Sequence, residues 1–281
     1  MRYSSRLLAL ALALATASAI GCARHGIVDD ATTISYGWSY DGILENGLLL
    51  PPEGDGYHVP TRWQRRGNQY GTDELVTMIV RVARRLHDKT GGPRLGVADL
   101  SPPGGGPSPW HRSHQTGRDV DLLFFGTDRK GRPLKSRKMI PFDEQGRSRK
   151  LEGRYRSRVF FDVAKNWMLI KELLREPTVD IQYLYIYTPL EHILLDHARQ
   201  IGEPKMLIER ADALMEQPEN SGLHDDHLHV RLYCPESDRA FGCQDAWQPP
   251  WHRTLPVHAW SLFMVGDQLL QAVTVLASTA T

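Results

Sequence analysis

The sequence predicts an α+β domain, on three observations. Leu75, Ile79, Val82 and Leu86 recur at helical spacing. The run His227–Tyr233 alternates: Leu228, Val230 and Leu232 fall on one face of a strand, and His227, His229, Arg231 and Tyr233 on the other. Strand-like and helix-like stretches follow one another without the regular alternation of a parallel βαβ fold.

The elements follow in chain order. Met1–Arg6 is short and basic, and an apolar Leu/Ala run extends from Leu7 to about Ala19. It is too short to span a membrane, and residues 1–21 read as a secretory signal. Two cleavage readings stay open. Ala17-Ser18-Ala19 fits a small-x-small site, which leaves a soluble periplasmic protein. Ala19-Ile20-Gly21-Cys22 fits a bacterial lipoprotein box, with Ala19 where Leu is usual, and makes Cys22 a lipid-bearing N-terminus. Residues 22–36 read as a tether and 37–248 as the folded domain, of which 37–72 is rich in Gly, Pro, Tyr and Trp and reads as irregular. Asp73-Glu74-Leu75 opens a helix that Thr90-Gly91-Gly92-Pro93 stops. Strands are expected over 94–100, 119–125, 180–187 and 228–233, and helices over 157–175, 190–201 and 204–215. The tail, 249–281, is expected to pack as an amphipathic helix, since Asp267, Gln268 and Gln271 interrupt its apolar run.

Without the leader about 260 residues remain, enough for one domain with a sizeable core. The net charge of +1 implies no polyanionic partner overall. Charge is uneven, however: 129–158 holds twelve Lys/Arg against three Asp/Glu. A solvated loop accounts for this most simply; the sharper reading is a surface facing acidic envelope polymers. Only Phe142 and Tyr155 are interleaved aromatics there, which argues against nucleic acid. Of the three cysteines, Cys234 and Cys243 could close a short loop. In an oxidising compartment that disulfide contributes roughly 2–3 kcal/mol.

The chemistry lies in two clusters: Trp110-His111-Arg112-Ser113-His114-Gln115-Thr116-Gly117-Arg118-Asp119-Val120-Asp121, and His224-Asp225-Asp226-His227-Leu228-His229. Two histidines on adjacent same-face strand positions sit about 6.5–7 Å apart at the backbone, so one can bind a metal while the other reaches its water. Asp119 and Asp121 likewise share a face, and His114 precedes them in a loop with Gly117, which permits a tight approach to the metal. A set of two histidines and an aspartate with an open fourth position is the arrangement of catalytic zinc and suits amide hydrolysis. The chain has no His-Glu-x-x-His, no Gly-x-Ser-x-Gly, and too few cysteines for a cysteine-rich structural zinc site. A triad through Ser113 is left open by the sequence, with no pattern in its favour.

Ser113-His114-Gln115-Thr116-Gly117-Arg118-Asp119-Val120-Asp121 resembles the His-x-x-Gly-x-x-x-Asp motif of the LAS metallopeptidases, and His227-Leu228-His229 resembles their His-x-His. The run His224-x-x-His227-x-His229-Val230-Arg231-Leu232-Tyr233-Cys234-Pro235 is similar to the penicillin-insensitive murein endopeptidase family, from about Tyr36 to Cys243. The resemblance implies a small central antiparallel sheet that carries the zinc site and is flanked by helices. It implies His114, Asp121 and His229 as zinc ligands, with His227 as catalytic histidine and His224 assisting. His111 matches a family histidine associated with a second zinc. The Asp-x-x-His that completes that second site is missing, since Asp143-Glu144-Gln145-Gly146 lacks the His. One catalytic zinc is therefore expected.

The implied substrate is peptidoglycan, cut at the D-Ala–meso-diaminopimelate cross-link in the periplasm, with a membrane involved only through an anchor at Cys22. The alternatives are a D-Ala carboxypeptidase of the same fold and a non-catalytic, zinc-containing wall-binding lipoprotein.

Overall fold

A computed structural model describes residues 30–150 and 157–245 of the chain. Its strands and helices are β1 (Ile34–Trp38), β2 (Asp41–Glu45), β3 (Leu48–Leu49), β4 (Glu53–Gly54), β5 (Tyr57–His58), α1 (Thr61–Gln64), β6 (Tyr70–Gly71), α2 (Asp73–Thr90), β7 (Leu95–Gly96), β8 (Asp119–Leu123), β9 (Gly126–Thr127), β10 (Phe160–Phe161), α3 (Val163–Leu174), β11 (Ile181–Tyr185), α4 (Thr188–Gln200), α5 (Lys205–Leu214), β12 (Met215–Glu216), β13 (His227–Leu232) and α6 (Glu236–Arg239). The fold is mixed α+β. No helix among the described residues is long and apolar enough to cross a membrane.

α2 forms where its periodicity predicts. The Thr72 hydroxyl accepts the Leu75 N–H at 3.3 Å, and Asp73 and Glu74 in the first turn complement the positive helix end. Leu75, Val76, Ile79, Val82, Ala83 and Leu86 are buried along one side. Gly91, at φ +58°, ends the helix. α3 packs beside it. The buried Glu172 takes Arg85 at 3.0 Å and Lys89 at 2.6 Å across the helix pair.

The central sheet has the order β12-β11-β13-β8. β13 runs antiparallel to both β11 and β8, but edge strand β12 joins β11 in parallel, so the expected antiparallel sheet carries one parallel edge. Ala98 donates to the Asp121 carbonyl and Asp121 to the Asp99 carbonyl, which continues the sheet past β8 toward β7 and β5. Val120, Leu122, Leu228, Val230 and Leu232 point into one buried cluster with the apolar faces of α2, α3 and α4. The opposite face is left for polar chemistry.

Several expectations shift. β1 begins at Ile34, inside the stretch read as a tether, and Ser35 is fully buried with its N–H on Asp238 at 2.8 Å. Buried polar residues such as Thr33 and Ser35 hide that strand from a hydropathy reading. The stretch 37–72 holds five further short strands and α1 rather than irregular chain alone. The strand expected over 94–100 is regular only at Leu95–Gly96, with Val97 bridging singly to Leu122. The helix expected from 157 begins at Val163. Phe160 and Phe161 pair instead with β9, and the Asp162 carboxylate caps α3 through the Lys165 N–H. The leader, Cys22 and the 249–281 tail lie outside the described residues.

Asn166 on α3 clamps the end of β8. Its Oδ1 accepts the Phe125 N–H, and its Nδ2 donates to the Phe125 carbonyl, both at 2.9 Å. Asn166→Ala leaves this buried N–H unpaired and should cost about 2–3 kcal/mol, read as a lower urea midpoint. An unchanged midpoint would show that the clamp contributes nothing.

Candidate metal centre

The register of β13 against β8 builds the centre. His229 lies directly opposite Asp121, and Arg231 opposite Asp119, all on the polar face. A slip of one residue would turn every one of these side chains into the core. On the other flank, Tyr185 pairs with His229, and its ring centroid lies 5.1 Å from the imidazole.

His114 arrives from a loop. Its φ of +67° is left-handed, an arrangement that costs a non-glycine residue about 1–3 kcal/mol and persists only where the surroundings enforce it. Here Nδ1–H donates to the Leu100 carbonyl at 2.9 Å, and the ring sits between His111 at 4.2 Å and His229 at 4.8 Å. Nε2 is thereby aimed at Asp121. The close approach permitted by Gly117 serves packing and not a metal. A Cβ there would meet Leu44 and the Thr72 nitrogen within 2.9 Å, and the Gly117 N–H donates to Ser101.

Three donor atoms converge. His114 Nε2 lies 3.3 Å from Asp121 Oδ1 and 3.2 Å from His229 Nδ1, and His229 Nδ1 lies 3.1 Å from Asp121 Oδ1. A tetrahedral zinc site with bonds of about 2.0–2.1 Å needs its ligand atoms about 3.3 Å apart. The remaining Asp121 oxygen, Oδ2, is buried and has no hydrogen-bond partner among the described residues. The second nitrogen of each imidazole is already committed: His114 Nδ1 to Leu100, and His229 Nε2 to Asp119 Oδ1 at 2.8 Å. That leaves the facing nitrogens as unprotonated donors. The three residues therefore fit a single zinc ion in donor type, spacing and tautomer.

The residues around them orient this set. Asp119 also accepts from Arg231 Nε at 2.6 Å. Burial raises the Asp119 carboxyl, and Arg231 and His229 more than offset it, so it stays well below the usual carboxylate range. Burial acts likewise on Asp121, where His227 and His114 prevail. His227 donates Nδ1–H to Asp226 at 2.5 Å and turns Nε2 toward Asp121 Oδ1 at 3.4 Å. Burial lowers its imidazole, but Asp121 and Asp226 push it up to about 10. His224 lies 5.2 Å from His227 and 5.8 Å from His229 by ring centroids, and its N–H is held by Gln217 at 2.9 Å. Burial, then His229 and His227, push His224 down to about 3.

His111 also reaches the centre, 3.7 Å from Asp121 Oδ2, but its Nε2 is engaged by Asp99 at 2.9 Å. Asp99 in turn takes Arg66. Sequence reading missed Asp99, Asp226 and Gln217, and gave Asp119 no role beyond sharing a strand face with Asp121. The alternation of Asp119 and Asp121 was the one available signal among these. Arg118, inside the first cluster, is structural. Fully buried, it donates to Ser35, to the Leu232 and Gln244 carbonyls, and to Asp245 at 3.0 Å. Cys234 and Cys243 are joined as a disulfide with Cα atoms 5.9 Å apart. It staples the chain just after β13 to the segment that pairs with Gly37.

Comparison with known proteins gives a consistent result. Residues 35–254 match the family model described as penicillin-insensitive murein endopeptidase. Among curated proteins of that name, the one from Klebsiella pneumoniae is 26% identical over 225 residues, covering 77% of this chain and 71% of the relative. The Salmonella arizonae protein is 29% identical over 217 residues with the same coverage. The Haemophilus influenzae protein is 29% identical over 128 residues, 42% of this chain and 44% of the relative. With the family model spanning well over half its length, the chain belongs to the penicillin-insensitive murein endopeptidase family.

Proposed function

We propose that the chain is a zinc-dependent murein hydrolase that cuts the D-Ala–meso-diaminopimelate cross-link between peptidoglycan stems. The observation that carries this is the convergence of His114 Nε2, His229 Nδ1 and Asp121 Oδ1 within 3.3 Å of one another, with His227 alongside. One zinc would be held by these three residues. When bound, it supplies Lewis acidity that polarises a carbonyl and acidifies water.

The chain supplies the proton handling. With Nδ1–H fixed by Asp226, His227 offers Nε2 as the atom that takes a proton and returns it to the leaving amine. Asp121 and Asp226 together raise His227, and its imidazole would fall back toward its ordinary range if the Asp121 charge were neutralised by a bound cation. His224, held neutral by burial and neighbouring histidines, lines the same cleft as a hydrogen-bonding group for the substrate. Asp119 and Arg231 keep His229 in one tautomer and orientation. The reading carries a LAS-type fold and a periplasmic location, with Cys22 as the lipid-anchor candidate; the Cys234–Cys243 disulfide supports an oxidising compartment.

The test is metal removal. Chelation should abolish conversion of purified muropeptide dimers to monomers, and stoichiometric zinc should restore it. Full turnover in the chelator would overturn the metal assignment, and intact dimers after treatment with zinc-loaded protein would overturn the substrate assignment.

A further inference from the structure

A concavity of about 600 Å³ opens beside β5 and β7, and Arg62, Arg94, Lys135 and Arg137 line it together with His58. The acid in its lining is Glu53, which pairs with Arg94 at 2.6 Å. No ion pair joins Arg62, Lys135 or Arg137 to a carboxylate among the described residues. Lys135 and Arg137 belong to the basic 129–158 stretch that the metal centre leaves without a role. The local potential is already felt at His58. Burial and then Arg94 lower its imidazole, Glu53 and a backbone hydrogen bond at Ser136 oppose them in part, and Arg137 lowers it again.

The concavity shares a face with the metal centre. Asp121 and Leu123 point to the same side of β8, by strand alternation. The Val97–Leu122 bridge places Gly96 opposite Leu123, and a Cβ on Gly96 would meet both the Leu123 side chain and the Ser136 carbonyl at 2.7 Å, so a peptide crossing from Asp121 to His58 passes over Ser136. His58 is in register with Gly96 in the β5–β7 pair. From Asp121 to His58 is thus two strand spacings of about 4.8 Å and a two-residue offset, roughly 12 Å at the backbone. An extended peptide covers that distance in three to four residues.

We propose that this basic concavity is a subsite for a free carboxylate of the substrate peptide, three to four residues from the bond that is cut. The inference rests on reading the chain as a hydrolase of peptide cross-links. It makes the enzyme selective for stems whose carboxylates are free over stems in which they are amidated.

The test uses zinc-loaded protein carrying His227→Ala, so that the probe stays intact. Calorimetric binding of a synthetic cross-linked stem-peptide dimer is compared with that of the same dimer fully amidated. Arg62→Ala/Arg137→Ala should weaken binding of the acidic dimer about tenfold and leave the amidated dimer unchanged. Arg199→Ala/Lys205→Ala, an equal loss of charge on α4 and α5, should change neither. Equal binding of the two dimers, or equal weakening by both double variants, overturns the subsite. Cleavage of both dimers by the parent chain is measured in parallel. Turnover with no preference for the acidic dimer sinks the subsite alone, whereas no turnover and no binding of either sinks the cross-link reading with it.

Discussion

His227→Ala should lower kcat for cross-link cleavage by about a hundred- to ten-thousand-fold while leaving zinc content and fold unchanged. The geometry separates this residue from the ligand set. His114 and His229 have each committed one nitrogen to a protein acceptor, the Leu100 carbonyl and Asp119, and turn the other toward Asp121. His227 also commits one nitrogen, to Asp226, but its Nε2 approaches Asp121 Oδ1 from the rim of the cleft at 3.4 Å, and its side chain keeps 15% of its surface exposed where that of His114 keeps none. It can therefore meet solvent and substrate without being needed to hold a metal. His229→Ala is the contrast: it removes a donor atom, so zinc and activity should disappear together. If His227→Ala loses zinc, or cleaves dimers at the parent rate, the division of roles between these two same-face histidines is wrong.

How much of this was legible in the sequence depends on the range of the interactions. The alternation of His227–Leu232 and of Asp119–Leu123 survives in the structure because each strand has one buried apolar face and one polar face, and a local period reports that directly. α2 was legible for the same reason, with its cap and its glycine stop written beside the periodic residues. Short ladders were not. β1 and β4 close only short hairpins with β2 and β5, whereas β3 pairs with β6 and β5 with β7 across longer stretches of chain, and β1 buries Ser35, a polar residue whose hydrogen bonds reach Arg118 and Asp238. Asp99 was invisible for a similar reason. It sits in a stretch that reads as an ordinary strand, and only the folded loop brings His111 and Arg66 onto it. Asp226 stood next to His227 in plain view. Strand alternation assigns neighbours to opposite faces, but the ladder begins only at His227, and the turn before it lets the two side chains meet.

Asp119→Asn should be the most damaging isosteric change in the chain outside the proposed ligand set. Asp119 touches no proposed reacting atom, yet its Oδ1 accepts both His229 Nε2–H and Arg231 Nε–H. Loss of such a carboxylate partner typically lowers metal affinity about 10- to 100-fold, because the imidazole loses both its fixed tautomer and part of its basicity. A second cost follows from Arg231, which is nearly buried and whose charge Asp119 compensates. Breaking a buried pair by removing one partner destabilises by about 3–5 kcal/mol. The two effects can be read apart. Competition with a chromophoric chelator reports the affinity, and urea unfolding of the zinc-free protein reports the stability. If His229 were only one more surface histidine with no metal to hold, Asp119→Asn would shift the urea midpoint and leave zinc affinity untouched. If the Arg231 pair were solvated, affinity would fall and the midpoint would stay. A fall in both, with the doubly substituted Asp119→Asn/Arg231→Met recovering stability but not zinc affinity, is the outcome that the His229–Asp119–Arg231 chain demands.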